Sequence, residues 1–328
     1  MQIFYWQAPR GNFGDDMNQW FWDDLMPGWR QSDLPATLIG VGSLLTTNLD
    51  LPAGRKIIVG AGAGYGTPPT LSPADDWDVR FVRGPKTAQV LGLDQSFGLT
   101  DPAALVPRLP RFAGRQPRGR RPLFVPHCYS DVHPDFDWAA IASMAGVDYL
   151  SPRGNAVNVI RTISAAPLVL AESLHAAIVA DAFRVPWRPV STNVTPLKLF
   201  KWQDWCESLD LVMPEPVHLL GPLQRLRSLL RRDRPDPRPG PLDRQAATSP
   251  ANRHGGGAPP ETPPLRTRET FRLLVRDRVR AAVAARSLAR AARLEPLLSR
   301  DAVLADRLDR GTEAMRDLAR DYGVTSTL

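Results

Sequence analysis

The sequence predicts an α/β fold with two wound halves and a basic α-helical extension, and three observations carry this prediction. Over the first 220 residues, short apolar runs closed by Gly or Pro alternate with helical patterns, as expected of parallel strands covered on both faces. Residues 108–122 are rich in Pro and Arg and lack apolar periodicity, so they divide this region. The end of the chain places Ala, Leu and Arg at helical spacing.

The first half is predicted to form an N-terminal domain over residues 1–115. Its strand candidates are the apolar runs IFYW, TLIGVGSLL, KIIVGAGAG and VRFVRG. A helix pattern starts at about Asp15, and KTAQVLG follows the last run as another helix. Runs of this length bounded by Gly suit buried strands better than helices.

The second half is predicted to form a C-terminal domain over residues 120–220. Its strand candidates are LFVPH, VDYLSP and PLVLAES, and LHAAIVADAF follows as a helix. Two wound halves joined in this way leave a cleft between them, which is a common place for a ligand site.

The remaining chain divides into a linker and a helical tail. Residues 233–265 are dominated by Pro, Gly and polar residues and are predicted to be disordered. Residues 266–328 predict two amphipathic helices, with Ser299 as the N-cap of the second. Residues 221–328 contain 22 Arg and 13 acidic residues, a net charge of +9, whereas residues 1–220 carry −2. The first two domains are therefore not a basic nucleic-acid platform, and the charge bears on location or partners.

Composition excludes several classes of protein. The chain of 328 residues is 43% hydrophobic, but no apolar run approaches the ~18 residues of a membrane span, and the N-terminus lacks the pattern of a signal peptide. Its two cysteines, Cys128 and Cys206, are too few for a disulfide framework or a zinc site. We expect a cytoplasmic protein. Residues 60–69, GAGAGYGTPP, have the wrong glycine spacing and a Pro pair where a dinucleotide site needs a helix.

The stretch GNFGDDMN after the first strand has two interpretations. Gly11 and Gly14 permit a sharp turn, Asn12 can bond within it, and Asp15 or Asp16 can cap the next helix. The same position, at the carboxyl end of a parallel strand, also suits an anion or a sugar. Composition alone favours neither.

Two further candidates follow predicted strands. Arg83 would project from the carboxyl end of its strand, where its planar guanidinium suits a carboxylate or a phosphate; the alternative is a surface ion pair. His175 lies where an apolar strand meets an apolar helix, three residues after Glu172, and could donate a proton with its pKa tuned by burial and a neighbouring carboxylate. His127, in LFVPHCYSD, occupies an analogous place. Each histidine could instead be structural.

Several segments, in this order, resemble the polysaccharide pyruvyl transferases, and in particular the bacterial exopolysaccharide-modifying members. They are NFGDDMN, GVGSLL, VGAGAG, VRFVRGPKTAQVLGL, LTDPAAL, AESLHAAIVADAFRVPW and PLKLFKWQDW. The resemblance covers about residues 1–215, and the tail from Gly221 lies outside it.

The resemblance implies two Rossmann-like domains in a GT-B-like arrangement and transfer of pyruvate from phosphoenolpyruvate to a sugar as a ketal. By position it matches Arg83 to the family's arginine and His175 to its histidine. Leu174 precedes that histidine, and Ser173 stands where many members have a second arginine. The donor would then depend more on Arg83. The cations that would assist it are Arg153, Lys198 and Lys201.

The roles expected from this resemblance are specific. His175 acts as the acid, Arg83 binds phosphate or carboxylate, and Asp15 or Asp16 binds the acceptor hydroxyls. No metal or other cofactor is expected. The acceptor would be a lipid-linked oligosaccharide of an exopolysaccharide or other surface glycan, with the basic tail at the anionic inner membrane face or on an acidic partner; a solvated hairpin or an oligomer contact is the alternative for the tail.

Two other functions compete with this one. A nucleotide-sugar glycosyltransferase of similar fold would bind a nucleoside diphosphate in the same cleft. A non-catalytic glycan-binding or scaffold protein would depend on its tail and tolerate changes at Arg83 and His175.

Overall fold

A computed structural model describes residues 1–32, 34–47, 51, 54–72, 76–114, 116–194, 197–221 and 267–327, with side chains of the last segment described from residue 277. The strands are β1 (Gln2–Phe4), β2 (Ala36–Ile39), β3 (Arg55–Val59), β4 (Trp77–Phe81), β5 (Leu123–Val125), β6 (Asp148–Tyr149), β7 (Val169–Ala171), β8 (Trp187–Ser191) and β9 (Val217–His218). The helices are α1 (Phe13–Asp16), α2 (Phe21–Leu25), α3 (Pro85–Val90), α4 (Cys128–Asp131), α5 (Trp138–Met144), α6 (Ala156–Ala165), α7 (Leu174–Ala182), α8 (Leu199–Ser208), α9 (Thr267–Ala291) and α10 (Asp301–Asp321). Shorter 3₁₀ turns include Gln95–Phe97 and Pro102–Arg108.

The predicted α/β class is confirmed, with two separate parallel sheets. The first sheet has the order β1-β2-β3-β4. Leu38 of β2 lies opposite Ile3 of β1 and Ile57 of β3. All of β2 is buried, as expected of a parallel strand covered on both faces.

The second sheet has the order β6-β5-β7-β8-β9 and is also parallel. Strand β5 lies between β6 and β7, so the chain winds to one side of β5 first and then to the other. The carboxyl ends of β5 and β7 therefore flank a topological switch point, where open α/β sheets hold their ligands.

Helix α7 occupies the middle of the core. Ala176, Ile178, Val179 and Ala180 are fully buried, since the helix is apolar on all sides. Its buried Asp181 accepts hydrogen bonds from Trp187 Nε1 and from the backbone N–H and hydroxyl of Ser299.

The bonds from Ser299 to Asp181 correct the predicted N-cap of α10. Arg300, and not Ser299, occupies the N-cap of α10, and it makes no side-chain cap bond. Ser299 is turned inward because Asp181 is buried and needs donors for its carboxylate.

The two C-terminal helices pack against different sheets. The buried residues of α9, which are Ala284, Ala285, Leu288 and Ala291, join the core around Phe124 and Trp138 of the second sheet. The buried residues of α10, including Leu304, Leu308, Met315 and Leu318, join a core that residues of both sheets share, and the helix contacts β4 of the first sheet. Arg108 donates to the backbone carbonyl of Leu308 and to the hydroxyl of Thr312, and Tyr322 donates to Asp78 of β4.

Two further expectations concern the linker and membrane-spanning helices. The predicted disordered linker, residues 233–265, lies outside the described residues. No helix in the described ranges has both the length and the apolar character needed to cross a membrane.

Candidate active site

The two sheets turn their carboxyl ends toward a shared cleft. Segments after β1, β2, β3 and β4, together with α8, form one wall, and segments after β5 and β7 form the other. The lining residues are Trp6, Asn12, Asp15, Ser43, Leu44, Tyr65, Arg83, His127, Cys128, Tyr129, Ser173, Leu174, His175 and Lys201.

His175 lies in the first turn of α7, and its imidazole is wedged between the two walls. The ring packs so closely on Gly14 that a Cβ at Gly14 would collide with Nδ1. Its Nε2 points away from Gly14 and lies 3.9 Å from Oδ2 of Asp101. Burial and the positive charges of Lys201 and Arg83 lower the pKa of His175 to about 3. The imidazole is therefore neutral in the empty cleft at neutral pH.

Arg83 is held in one orientation at the base of the cleft, with its side chain only 1% exposed. Nε donates to Asp204 Oδ2 at 3.0 Å and Nη1 to the Ser43 hydroxyl at 2.5 Å, while Nη2 donates to the Ala63 carbonyl. Gly62 makes room for the guanidinium, because a Cβ there would collide with Cζ. The fork is thus preorganised before any anion binds.

Lys201 brings a second cation into the cleft from α8. It is 7% exposed, and Nζ donates to the Tyr65 hydroxyl at 3.1 Å while lying 5.3 Å from the centre of the Tyr65 ring. Lys198 sits over the same ring at 5.8 Å but is exposed and does not line the cleft. The two predicted lysines therefore differ in position.

The opening loop GNFGDDMN contributes a carboxylate and an amide. Asn12 Nδ2 donates to Asp15 Oδ2 at 2.6 Å, and both side chains line the cleft. Asp16 does not line it; its carboxylate accepts the Asn12 backbone N–H at 2.8 Å, and burial raises its pKa. Of the two predicted aspartates, only Asp15 lines the cleft.

Glu172 does not act on His175, contrary to the expectation from their spacing. It is fully buried and accepts the backbone N–H groups of His127 and Thr192 and the Thr192 hydroxyl. Burial raises its pKa. Its side chain joins the segments after β5 and β8, whereas the carboxylate nearest His175 comes from Asp101. His127 itself lines the cleft.

Arg153 lies away from the lining residues. Its Nε donates to the carbonyl of Arg10 at 2.9 Å, and Nη1 is 3.9 Å from Asp131. These contacts tie the segment after β6 to the opening loop, so Arg153 supports the wall of the cleft.

Comparison with known proteins identifies the family. The sequence profile of the polysaccharide pyruvyl transferases matches residues 20–193. The chain is also 38% identical, over 331 aligned positions, to the succinoglycan biosynthesis protein ExoV of Rhizobium meliloti (strain 1021). The alignment covers 98% of this chain and 100% of that protein. The chain belongs to the polysaccharide pyruvyl transferase family. It is a pyruvyltransferase, and the glycosyltransferase and scaffold alternatives give way to this assignment.

The similarity to this relative extends past the region expected from sequence. The family profile ends at residue 193, so the tail from Gly221 lies outside it as expected, whereas the alignment with ExoV covers 98% of this chain and includes most of the tail. This agrees with the packing of α9 and α10 into the cores of both sheets.

Sequence reasoning missed several residues that line the cleft of the pyruvyl transferase, namely Trp6, Ser43, Leu44, Tyr65, Cys128 and Tyr129. Their shared signal is position, since each follows a strand by a few residues. Burial and the charge of Asp15 raise the pKa of Cys128 to about 12, so it stays a thiol.

Sequence reasoning also missed Asp101 and Asp204, which lie behind the residues that line the cleft. Both sit in segments that carried the resemblance, LTDPAAL and KWQDW.

No group of three His, Cys, Asp or Glu side chains within the described part of the chain is arranged to hold a metal ion.

Proposed function

We propose that this pyruvyl transferase moves pyruvate from phosphoenolpyruvate to a sugar of an exopolysaccharide repeat unit or another surface glycan, forming a ketal. The observation that carries the proposal is the convergence of Arg83, Lys201 and His175 on one cleft that also contains Asp15. The printed name of the relative, a succinoglycan biosynthesis protein, supports a polysaccharide acceptor.

The donor is a small anion with a phosphate and a carboxylate, and the cleft offers two buried cations. Arg83 suits planar, bidentate recognition of either group. Lys201 supplies a buried point charge beside Tyr65, while Ser173 stands where many members have a second arginine. We assign the donor to Arg83 and Lys201 together, with Ser173 and Leu174 forming the adjoining wall.

The reaction needs two protons to be moved from the acceptor. One reaches the methylene carbon of the enol, which becomes a methyl group, and the other leaves with phosphate as hydrogen phosphate. Two new C–O bonds form at the central carbon as the C–O bond to phosphate breaks. His175 donates the first proton and is restored by an acceptor hydroxyl, a role worth ~10²- to 10⁴-fold in rate. Asp15 accepts a hydrogen bond from the attacking hydroxyl.

Donor binding would itself activate His175. In the empty cleft, Lys201 and Arg83 contribute to the low pKa of the imidazole. Burial is the largest cause of this shift and stays when the donor binds, but a bound anion offsets the two charges and raises the pKa of His175. Donor binding thus favours the protonated acid. Side chains supply both proton transfer and charge stabilisation, so the proposed chemistry requires no metal or other cofactor.

The two sheets support a GT-B-like arrangement of two Rossmann-like domains. Both present their carboxyl ends to one cleft, and a C-terminal segment packs on each. In this arrangement the acceptor would enter between the domains, past Trp6 and Tyr129.

We propose that the enzyme works on a lipid-linked oligosaccharide at the cytoplasmic face of the membrane, through peripheral contact. The buried residues among the described side chains of α9 and α10 pack against protein, so the proposed contact with the membrane is electrostatic. Exposed arginines of α9 fall within about 120° of the helix circumference. They are Arg278, Arg286 and Arg290, and Arg293 is exposed in the turn that follows the helix.

Vesicle sedimentation tests this contact. Changing these four arginines to Gln should reduce binding to anionic vesicles and its salt dependence. The matched control changes four exposed arginines elsewhere, Arg55, Arg118, Arg120 and Arg121, to Gln. Equal loss in both variants would show that net charge alone, and not this face, attracts the vesicle.

Phosphate release tests the reaction. Purified protein is incubated with phosphoenolpyruvate, with and without extracted lipid-linked oligosaccharides, and the glycan is analysed by mass. We expect acceptor-dependent release of phosphate and a mass gain of one pyruvyl ketal. His175→Gln should abolish both, whereas His133→Gln, outside the cleft, should leave them unchanged. Release that is absent with every acceptor would overturn phosphoenolpyruvate as the donor.

A further inference from the structure

Asp101 and His175 lie next to each other, with His175 lining the cleft and Asp101 behind it. Asp101 is 0% exposed. Within the part of the chain that the structure describes, Asp101 Oδ2 and His175 Nε2 are both buried without a hydrogen-bond partner, and they lie 3.9 Å apart. Leaving two such atoms unpaired is costly, and each is the nearest group that could satisfy the other.

The carboxylate is fixed in place by its own backbone. Its other oxygen, Oδ1, accepts the Ala103 N–H at 3.0 Å as the N-cap of the 3₁₀ turn Pro102–Arg108. That turn packs against α7, which carries His175. Arg83, the nearest cation, directs its Nε to Asp204. Asp101 is therefore aimed at the imidazole and not neutralised by a direct ion pair.

We infer that Asp101 is a positioning residue that holds the Nε2–H tautomer of His175, so that Nδ1 is the atom that transfers the proton in the cleft. The distance of 3.9 Å is long for a hydrogen bond, but such bonds are often long in empty sites and shorten when substrate binds. A carboxylate behind a histidine fixes both its tautomer and its orientation, and it stabilises the imidazolium that forms.

The consequence for the reaction is a defined path for one proton. Imidazolium keeps Nε2–H toward Asp101 and gives the Nδ1 proton to the methylene carbon of the donor. The neutral ring then already has Nδ1 free to take a proton from the acceptor hydroxyl. This part of the inference rests on the proposed function; the tautomer does not.

The tautomer can be measured directly in the full chain with ¹⁵N-histidine and long-range ¹⁵N–¹H correlation spectra at pH 7.5, with His175→Gln to assign the signal among five histidines. We expect Nε2–H in the unchanged protein. In Asp101→Asn, the amide keeps the cap to Ala103 but donates toward Nε2, so the ring should shift to Nδ1–H. An Nδ1–H tautomer in the unchanged protein overturns the inference without any variant.

Kinetics provide the second test. Asp101→Asn should lower kcat for phosphate release by ~10²- to 10⁴-fold, with KM for phosphoenolpyruvate within about threefold. The control is Asp94→Asn, which alters the equivalent cap of the neighbouring 3₁₀ turn, where Asp94 accepts the Ser96 N–H at the surface; it should leave both constants unchanged.

The outcomes separate the two proposals. A kcat within threefold of normal, or a lower kcat with the tautomer unchanged, contradicts the inference, since Asp101 would then act only through packing. If no protein releases phosphate from phosphoenolpyruvate, the proposed donor fails, and the tautomer still decides the role of Asp101.

Discussion

At the scale of single residues, buried charge decides how the cleft responds to pH. Burial raises the pKa of Asp101 from 3.8 to about 6, while burial and two cations lower the pKa of His175 from 6.5 to about 3. Arg83 and Asp204 also act on Asp101, and Lys201 and Arg83 act on His175. The two shifts have opposite effects on stability.

Their signs can be worked out separately. Between pH 6.5 and 3 the unfolded chain binds a proton at His175 that the folded protein does not, so stability falls as pH falls. Between pH 6 and 3.8 the folded protein binds a proton at Asp101 that the unfolded chain does not, so stability rises as pH falls. Between about pH 6 and 4 the two effects largely cancel.

Asp101→Asn should expose the histidine effect. We predict that the free energy of unfolding of this variant, relative to the unchanged protein, falls from about pH 6 to pH 4 with a slope of up to about 1.4 kcal/mol per pH unit. Urea titrations at several pH values measure it. Parallel pH profiles of the two proteins would contradict the opposite pKa shifts.

The assignment of Lys201 to the donor makes a second prediction. Lys201→Met should raise KM for phosphoenolpyruvate by ~10- to 100-fold, as expected for loss of one charge-assisted contact, and it should raise the pKa of His175 by removing a nearby positive charge. Lys198→Met is the matched control, since Lys198 is exposed beside the same tyrosine. Equal effects of both changes would count against a direct contact.

How much of the site could be predicted follows from sequence distance. Arg83, His175 and Asp15 each follow a strand, and that local signal predicted where they lie. The partners of Arg83 and His175 could not be found in this way. Asp204 is 121 residues away from Arg83 in the sequence, and Asp101 follows the first sheet, whereas His175 follows a strand of the second sheet. Glu172 was given the wrong partner because spacing along the chain does not fix direction where a strand meets a helix.

At the scale of elements, the loop after β3 shapes the anion site. Its glycines lack the spacing of a dinucleotide site, and Gly62 instead leaves space for the Arg83 guanidinium.

Gly62→Ala should displace that guanidinium. We expect a loss of ~1–3 kcal/mol in stability from overpacking and a weaker affinity for phosphoenolpyruvate, measured by urea titration and by calorimetry. Gly119→Ala is the control, because the nearest atom to its added Cβ lies at 3.7 Å. Unchanged donor affinity in Gly62→Ala would show that Arg83 is not oriented by this loop.

At the scale of the whole molecule, the C-terminal helices are structural parts of the enzyme. The amphipathic pattern predicted both helices but not what they cover, because apolar faces of Ala and Leu fit protein, membrane or another copy equally well. The predicted domain boundaries 1–115, 120–220 and 266–328 stay predictions. The structure packs α10 against β4 of the first sheet.

Met315→Ala tests this packing. Met315 is fully buried in α10, so the substitution should cost ~2–5 kcal/mol of unfolding free energy and should do so in a single urea transition. Glu313→Ala, exposed on the same helix, should change stability by less than ~0.5 kcal/mol. A separate, early transition in Met315→Ala would mean that α10 unfolds independently of the domains.

The packing of α10 also sets an order of assembly during synthesis. Thr327 donates to the carbonyls of Asp24 and Leu25, so residues made after the whole second sheet complete a core begun by the first strand. The second sheet, whose strands lie between residues 123 and 218, leaves the ribosome earlier than α10. The unit begun first is therefore completed after the second sheet, and until then its apolar surface beside β4 stays uncovered, where a chaperone or a neighbouring nascent chain can reach it.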